Sequence, residues 1–200
     1  LAANTTADNN SAFGDDALSL NTTGANNSAF GEKALQWATT ADNNTAMGYY
    51  ALGANTTGTQ NVAVGANALD ANTTASYNNA FGYNSLGSNT TGTQNTAVGR
   101  ETLFTNTTGD YNVALGNNAL YSATTASNNT GVGYAALNAN TTGANNTAVG
   151  SEALDACTTG GSNSAFGKAA LGALTTGSEN VGMGNCFNSL TTGSYNNALG

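Results

Sequence analysis

From one end of the chain to the other, apolar and polar positions recur every seventeen residues, which is the period of neither a helix nor a simple strand. Thr-Thr begins at 5, 22, 39, 56, 73, 90, 107, 124, 141, 158 and 175, and once more at 191. Five places after the first Thr stands Asn, from Asn10 to Asn196, and nine places after it stands Gly, from Gly14 to Gly200. The seventh place is Ala (Gly in two copies), and the eighth is always large and apolar, from Phe13, Phe30 and Met47 to Leu199. Leu fills the thirteenth place from Leu18 to Leu171. The unit is T-T-[G/A]-x-x-N-x-A-h-G-x-x-A-L-x-x-[N/A], with h large and apolar, in twelve copies of which the last is incomplete. One spacing is short: Thr175 and Thr191 are sixteen apart, and Leu is displaced to 190.

Seventeen residues are too few for a helix–turn–helix repeat, which needs more than about thirty. They suit one rung of a β-solenoid. The segment N-x-A-h-G reads as one strand and x-A-L-x-x as a second, with Thr-Thr-Gly-x-x and the residues after Gly as corners. The predicted fold is all-β: a parallel β-solenoid, or β-roll, of about twelve rungs starting near 4, 21, 38, 55, 72, 89, 106, 123, 140, 157, 174 and 190. Rungs stacked about 4.8 Å apart place like residues above one another, which explains the fixed columns. Asn61, Asn78, Asn95 and Asn112 are expected to form a hydrogen-bonded side-chain ladder, and Thr56, Thr73, Thr90 and Thr107 a second one through their hydroxyls. Gly65, Gly82, Gly99 and Gly116 mark a corner that needs positive φ or close backbone approach.

Strand neighbours face opposite sides, and here both Ala and h are apolar. One face can line the coil; the other calls for a partner surface. A homotrimer closing three such faces around an axis supplies it and enlarges a thin core. The chain begins three residues before its first unit and ends inside a unit, without polar caps. Since solenoids need caps, residues 1–200 are expected to be a single array cut from a longer fibre.

Composition narrows the partners. Charged residues make up 7%, there is no His and no Pro, and the net charge is −8 with only Lys33, Arg100 and Lys168 basic. Binding to nucleic acid needs a basic footprint, so neither nucleic acid nor an anionic membrane surface is expected as a partner. No apolar run approaches the eighteen or so residues of a membrane span.

The stretch N-[S/T/V/N]-A-[F/V/M]-G resembles the strand motif of the head domains of trimeric autotransporter adhesins. The full unit, as in NTTGANNTAVGSEAL (140–154), is similar to the long arrays of phage tail-fibre and bacterial surface-fibre proteins. The resemblance covers the whole chain. It implies a trimeric β-roll on a virion or bacterial cell exterior, with the chain as shaft or head segment of an adhesive fibre. A host-cell or surface glycan or other receptor would then be met by other parts of the fibre. The seventeen-residue period is longer than the usual adhesin-head repeat.

Chemistry is sparse. The carboxylates are scattered over variable positions, and Asp15-Asp16 is the only adjacent pair. Neither the paired carboxylates of a glycosidase nor the repeated Asp of a calcium solenoid is present. Cys157 and Cys186 lack the partners of a zinc site, and whether they are bonded stays open. No enzyme activity, metal or cofactor is expected. Asn-Thr-Thr at 4, 21, 55, 72, 89, 106 and 140 satisfies the glycosylation sequon, although its periodic placement reads as structural. Tyr49, Tyr50, Tyr83 and Tyr134 stand after the Gly and are candidate sugar contacts, with Tyr77, Tyr111 and Tyr195 before the Asn. The alternative function is a ligand-binding array: the Thr ladder against ice, or the corner tyrosines against sugar. Only one Thr of each pair can face outward, and Trp37 and Phe104 would interrupt a flat face.

Overall fold

The three residues x-A-h of each unit are extended, and their Ala turns inward while both neighbours turn out. The computed structural model describes residues 2–186 and 189–200, and holds twelve three-residue strands, β1 (Ser11–Phe13) to β12 (Asn197–Leu199). They form one parallel sheet in chain order, with like residues in register, such as Ala12 opposite Ala29 and Ala63 opposite Ala80. No helix occurs among the described residues. The fold is therefore the expected all-β parallel solenoid, one seventeen-residue unit to each turn.

The second expected strand, over x-A-L-x-x, does not exist. Consecutive β-turns replace it: Ala17 N–H donates to Gly14 O at 3.3 Å, Ser19 N–H to Asp16 O at 3.3 Å, and Asn21 N–H to Leu18 O at 3.4 Å. The intervening amides point along the stack, as Leu18 N–H does to Ala34 O at 3.0 Å. Asp16 and Leu18 carry φ of 55° and 49°, and the same pair of left-handed residues recurs in the regular turns. The reason is burial. Ala34 and Leu35, like Ala68 and Leu69, are both fully buried, which adjacent residues of a strand with only one face on the core cannot be. Each of the two left-handed residues costs about 1–2 kcal/mol; the buried Leu contributes about 1.5–3 kcal/mol, and the buried Ala beside it and the turn hydrogen bonds add to that, so burial offsets the pair.

Alongside the Leu column runs the Asn column. Asn95 is fully buried; its N–H and Nδ2 donate to Asn78 Oδ1 at 3.0 and 3.3 Å, and Nδ2 also to Gly109 O at 2.8 Å. Its own Oδ1 accepts from Asn112 N–H at 2.9 Å and Nδ2 at 3.1 Å. Asn61, Asn78 and Asn112 are bonded in the same way, so the expected ladder is present. Replacing Asn95 by Leu strands the Asn112 N–H and one bond to Gly109 O, and is expected to cost about 1–3 kcal/mol per orphaned buried group. Unchanged melting of that variant would show that the side chain carries none of the stack.

The Thr pair divides its labour. The first hydroxyl donates up the stack, as Thr56 to Thr73 O at 2.9 Å, Thr73 to Thr90 O at 3.3 Å, Thr90 to Thr107 O at 3.0 Å and Thr107 to Thr124 O at 3.0 Å. The second, from Thr6 to Thr192, is exposed in every unit. Gly65 satisfies both halves of its expectation: φ is 135°, and a Cβ there would lie 2.5 Å from Gly82 O. Gly82, Gly99 and Gly116 share that backbone.

The short unit is absorbed by a change of size. Leu171 N–H donates to Cys186 O at 3.2 Å, so Cys186 takes the place that Ala, Ser85 or Thr102 holds in the other units. Its Sγ would lie 3.0 Å from a Cβ on Gly182; the Ala-to-Gly change in β11 (Val181–Met183) makes the room. Residues 187 and 188 of this unit lie outside the described residues, and Leu190 packs against the end of the core.

Candidate functional site: the outer face of the sheet

A parallel sheet with one face on the core leaves the alternate residues outside. Here those are the variable x column and the h column. The h residues are large and partly bare: Phe30 is 43% exposed, Met47 45%, Phe81 41%, Leu115 46% and Phe166 40%. Over the eleven steps between twelve strands the stripe is about 50 Å long. Taking about 150–250 Å² for an aromatic side chain, this leaves on the order of 800 Å² of apolar side chain in solvent. The largest apolar patch of an ordinary monomer is about 300–600 Å², while a specific interface takes about 800 Å² from each partner.

The stripe has aromatic and charged borders. Just past the Gly stand Tyr49, Tyr83 and Tyr134, all about half exposed, together with Arg100 and Lys168. Tyr50 is less open: its ring lies over Gly53, where a Cβ would meet Cδ1 at 2.7 Å, and its centroid is 6.2 Å from that of Tyr49. The four proposed sugar contacts are thus spread along one edge, and only the Tyr49–Tyr50 pair is brought together. On the other edge Tyr77, Tyr111 and Tyr195 are exposed at left-handed positions. No cleft opens anywhere among the described residues.

The remaining candidates resolve individually. Asn21, Asn55, Asn72, Asn89, Asn106 and Asn140 of the sequons are fully buried, and Nδ2, the atom a glycan would need, donates to a carbonyl three residues on, as Asn55 to Gly58 O at 3.0 Å. Asn4 is exposed and makes the same turn. Cys157 and Cys186 are both free and buried. Burial pushes the Cys157 thiol up to about 11, and its Sγ donates to Gly160 O, 3.6 Å away; the reactive thiolate is therefore scarce at neutral pH. Asp15 and Asp16 are exposed, and no cluster of three His, Cys, Asp or Glu forms among the described residues.

Burial raises the Asp70 and Asp155 carboxyls, the latter helped by Glu152. A raised carboxylate pKa means that ionisation opposes folding. The two groups therefore cost nothing below the ordinary carboxylate range, and their penalty grows as the pH rises from that range to the raised values, above which it is constant. Two ion pairs, Lys33–Glu32 at 3.4 Å and Arg100–Glu101 at 3.0 Å, lie at the surface, where such pairs contribute little. Among the described residues no helix is long and apolar enough to cross a membrane.

Compared with protein-family models, curated proteins and solved structures, the chain matches none.

Proposed function

We propose that the chain is a structural segment, shaft or head, of a trimeric extracellular adhesive fibre of a virion or a bacterial surface, with the receptor-binding tip elsewhere in the fibre. The observation that carries the self-association is the uninterrupted apolar column on the outside of the sheet; the location and the adhesive role rest on the resemblance of the repeat to fibre arrays. Three copies placed around an axis parallel to the stack bring the same rung of each copy to the same level, so that h residues meet h residues along the whole length. Rotation closes the ring, and the product is a rod whose length is set by the number of units.

Sedimentation equilibrium of the array tests it. The expected species weighs about 59 kDa, three times 19.7 kDa. A well-folded monomer at micromolar concentration would refute self-association. Changing Phe81, Val98 and Leu115 together to Thr is expected to give folded monomers, because all three point away from the core.

A second reading has one specific observation behind it: the second Thr of every pair is exposed, giving a column of hydroxyls spaced about 4.8 Å apart. Phe104, on the turn after Leu103, stacks on Tyr121 with centroids 5.5 Å apart. On this reading the array would bind ice, and thermal hysteresis at millimolar protein would separate it from a plain shaft, which shows none.

A further inference from the structure

The position that opens each unit is Asn at 21, 55, 72, 89, 106 and 140, but Ala at 38 and 123. All are fully buried. Where one Asn stacks on another the amides interlock. Asn72 Nδ2 donates to Asn55 Oδ1 at 3.0 Å and to Ala75 O at 3.1 Å, and Gly58 N–H donates to Asn55 Oδ1 at 3.1 Å. The chain of bonds continues through Asn89 to Asn106.

At Ala123 it breaks. Asn106 Oδ1 has no hydrogen-bond partner, and neither has Asn21 Oδ1 beneath Ala38. On the far side of each Ala, Nδ2 of the next Asn serves only its local carbonyl, Asn55 to Gly58 O at 3.0 Å and Asn140 to Gly143 O at 2.9 Å, and its second hydrogen faces the gap. The carbonyls of Ala41 and Ala126 each accept from one Asn, Asn27 at 2.7 Å and Asn112 at 2.8 Å, whereas Gly58 O accepts from two, Asn44 and Asn55.

We infer that one water molecule is bound inside the solenoid beside Ala38 and another beside Ala123, each replacing the missing amide. Beside Ala38 the water donates to Asn21 Oδ1 and Ala41 O and accepts from Asn55 Nδ2. Beside Ala123 it donates to Asn106 Oδ1 and Ala126 O and accepts from Asn140 Nδ2. Buried waters typically make about three hydrogen bonds and take about 30 Å³ each, close to the space of the amide that Ala lacks. The third orphaned oxygen, Asn140 Oδ1, has no such site: above it stands Cys157, whose Sγ occupies the place and donates to Gly160 O.

Oxygen-17 magnetic relaxation dispersion, which counts long-lived internal waters, tests this on the whole chain. Ala38→Asn and Ala123→Asn are each expected to lower the count by one, and the double variant by two. Each should also raise the melting midpoint by roughly 2–4 °C, because the new amide makes the bonds permanently. Ala123→Val should lose the same water but lower the midpoint, since it fills the space and satisfies nothing. A count that these substitutions leave unchanged would overturn the inference, as would a Val variant that melts higher than the original.

Discussion

Replacing Leu103 with Ala should destabilise the array by about 3–5 kcal/mol, toward the upper end of the usual range for a buried Leu. Leu103 is fully buried, and its N–H donates to Ala119 O at 3.0 Å. The turns above and below are held at the hydrogen-bonded spacing, so they cannot close over the hole. Nor does the change relieve backbone strain, because Ala at the same φ of 51° bears the same left-handed penalty as Leu. Leu115→Ala is the matched comparison. That side chain is 46% exposed on the outer sheet face, and in a single chain its loss should cost under about 1 kcal/mol, given the area lost. Chemical denaturation of both variants, made in a background with Phe81 and Val98 changed to Thr and at a concentration where sedimentation shows a single chain, separates them. Equal costs would mean that the inside and outside of the solenoid had been exchanged.

Removing residues 72–105 should leave a folded, shorter rod, whereas removing only 72–80 should prevent folding. The longer deletion takes out two whole turns and joins Ala71 to Asn106, restoring DANTTGDYN in phase. Every column survives: Asn61 comes to lie below Asn112, and Gly65 below Gly116. The rod should shorten by two rungs, roughly 10 Å. The nine-residue deletion shifts all later residues out of column. Glu101 would then stand in the buried place that Gly92 now holds, and Asn95 in that of Leu86. Circular dichroism and scattering of the two variants give the result. If the out-of-phase deletion folds and the in-phase one does not, one turn per seventeen residues is wrong.

In most units the same small–large apolar pair occurs twice, as Ala–h and as Ala–Leu, and the two halves have opposite fates. Ala63–Val64 is extended, so Ala points in and Val out. Ala68–Leu69 is turned, with Leu69 at φ 52°, and both point in. Hydrophobicity alone does not distinguish them, and a strand is the natural expectation for both. A signal does exist in the letters. The h column varies among Phe, Met, Val and Leu, as a surface permits, whereas Leu18 to Leu171 never vary, as a closed core of fixed volume requires. The interruption of the corner Asn column at Ala38 and Ala123 is equally visible, but its consequence depends on which atoms face each other across the gap.

The letters alone dictate the repeat and the consequences of stacking identical units: parallel strands, in-register columns, buried Asn amides bonded from rung to rung, and Gly where backbones approach closely. Those features come from translation along one axis, which a fixed period already encodes. The path around each turn is a different matter, and it is legible only in three dimensions. There the chain makes one strand rather than two, sets its Leu residues in the left-handed region, bares the second Thr of each pair and places the h column outside. The path is set by competition between local backbone strain of about 1–2 kcal/mol for each left-handed residue and burial of the Ala and Leu side chains. That contest is settled by neighbours one rung away in space and seventeen residues away in the chain.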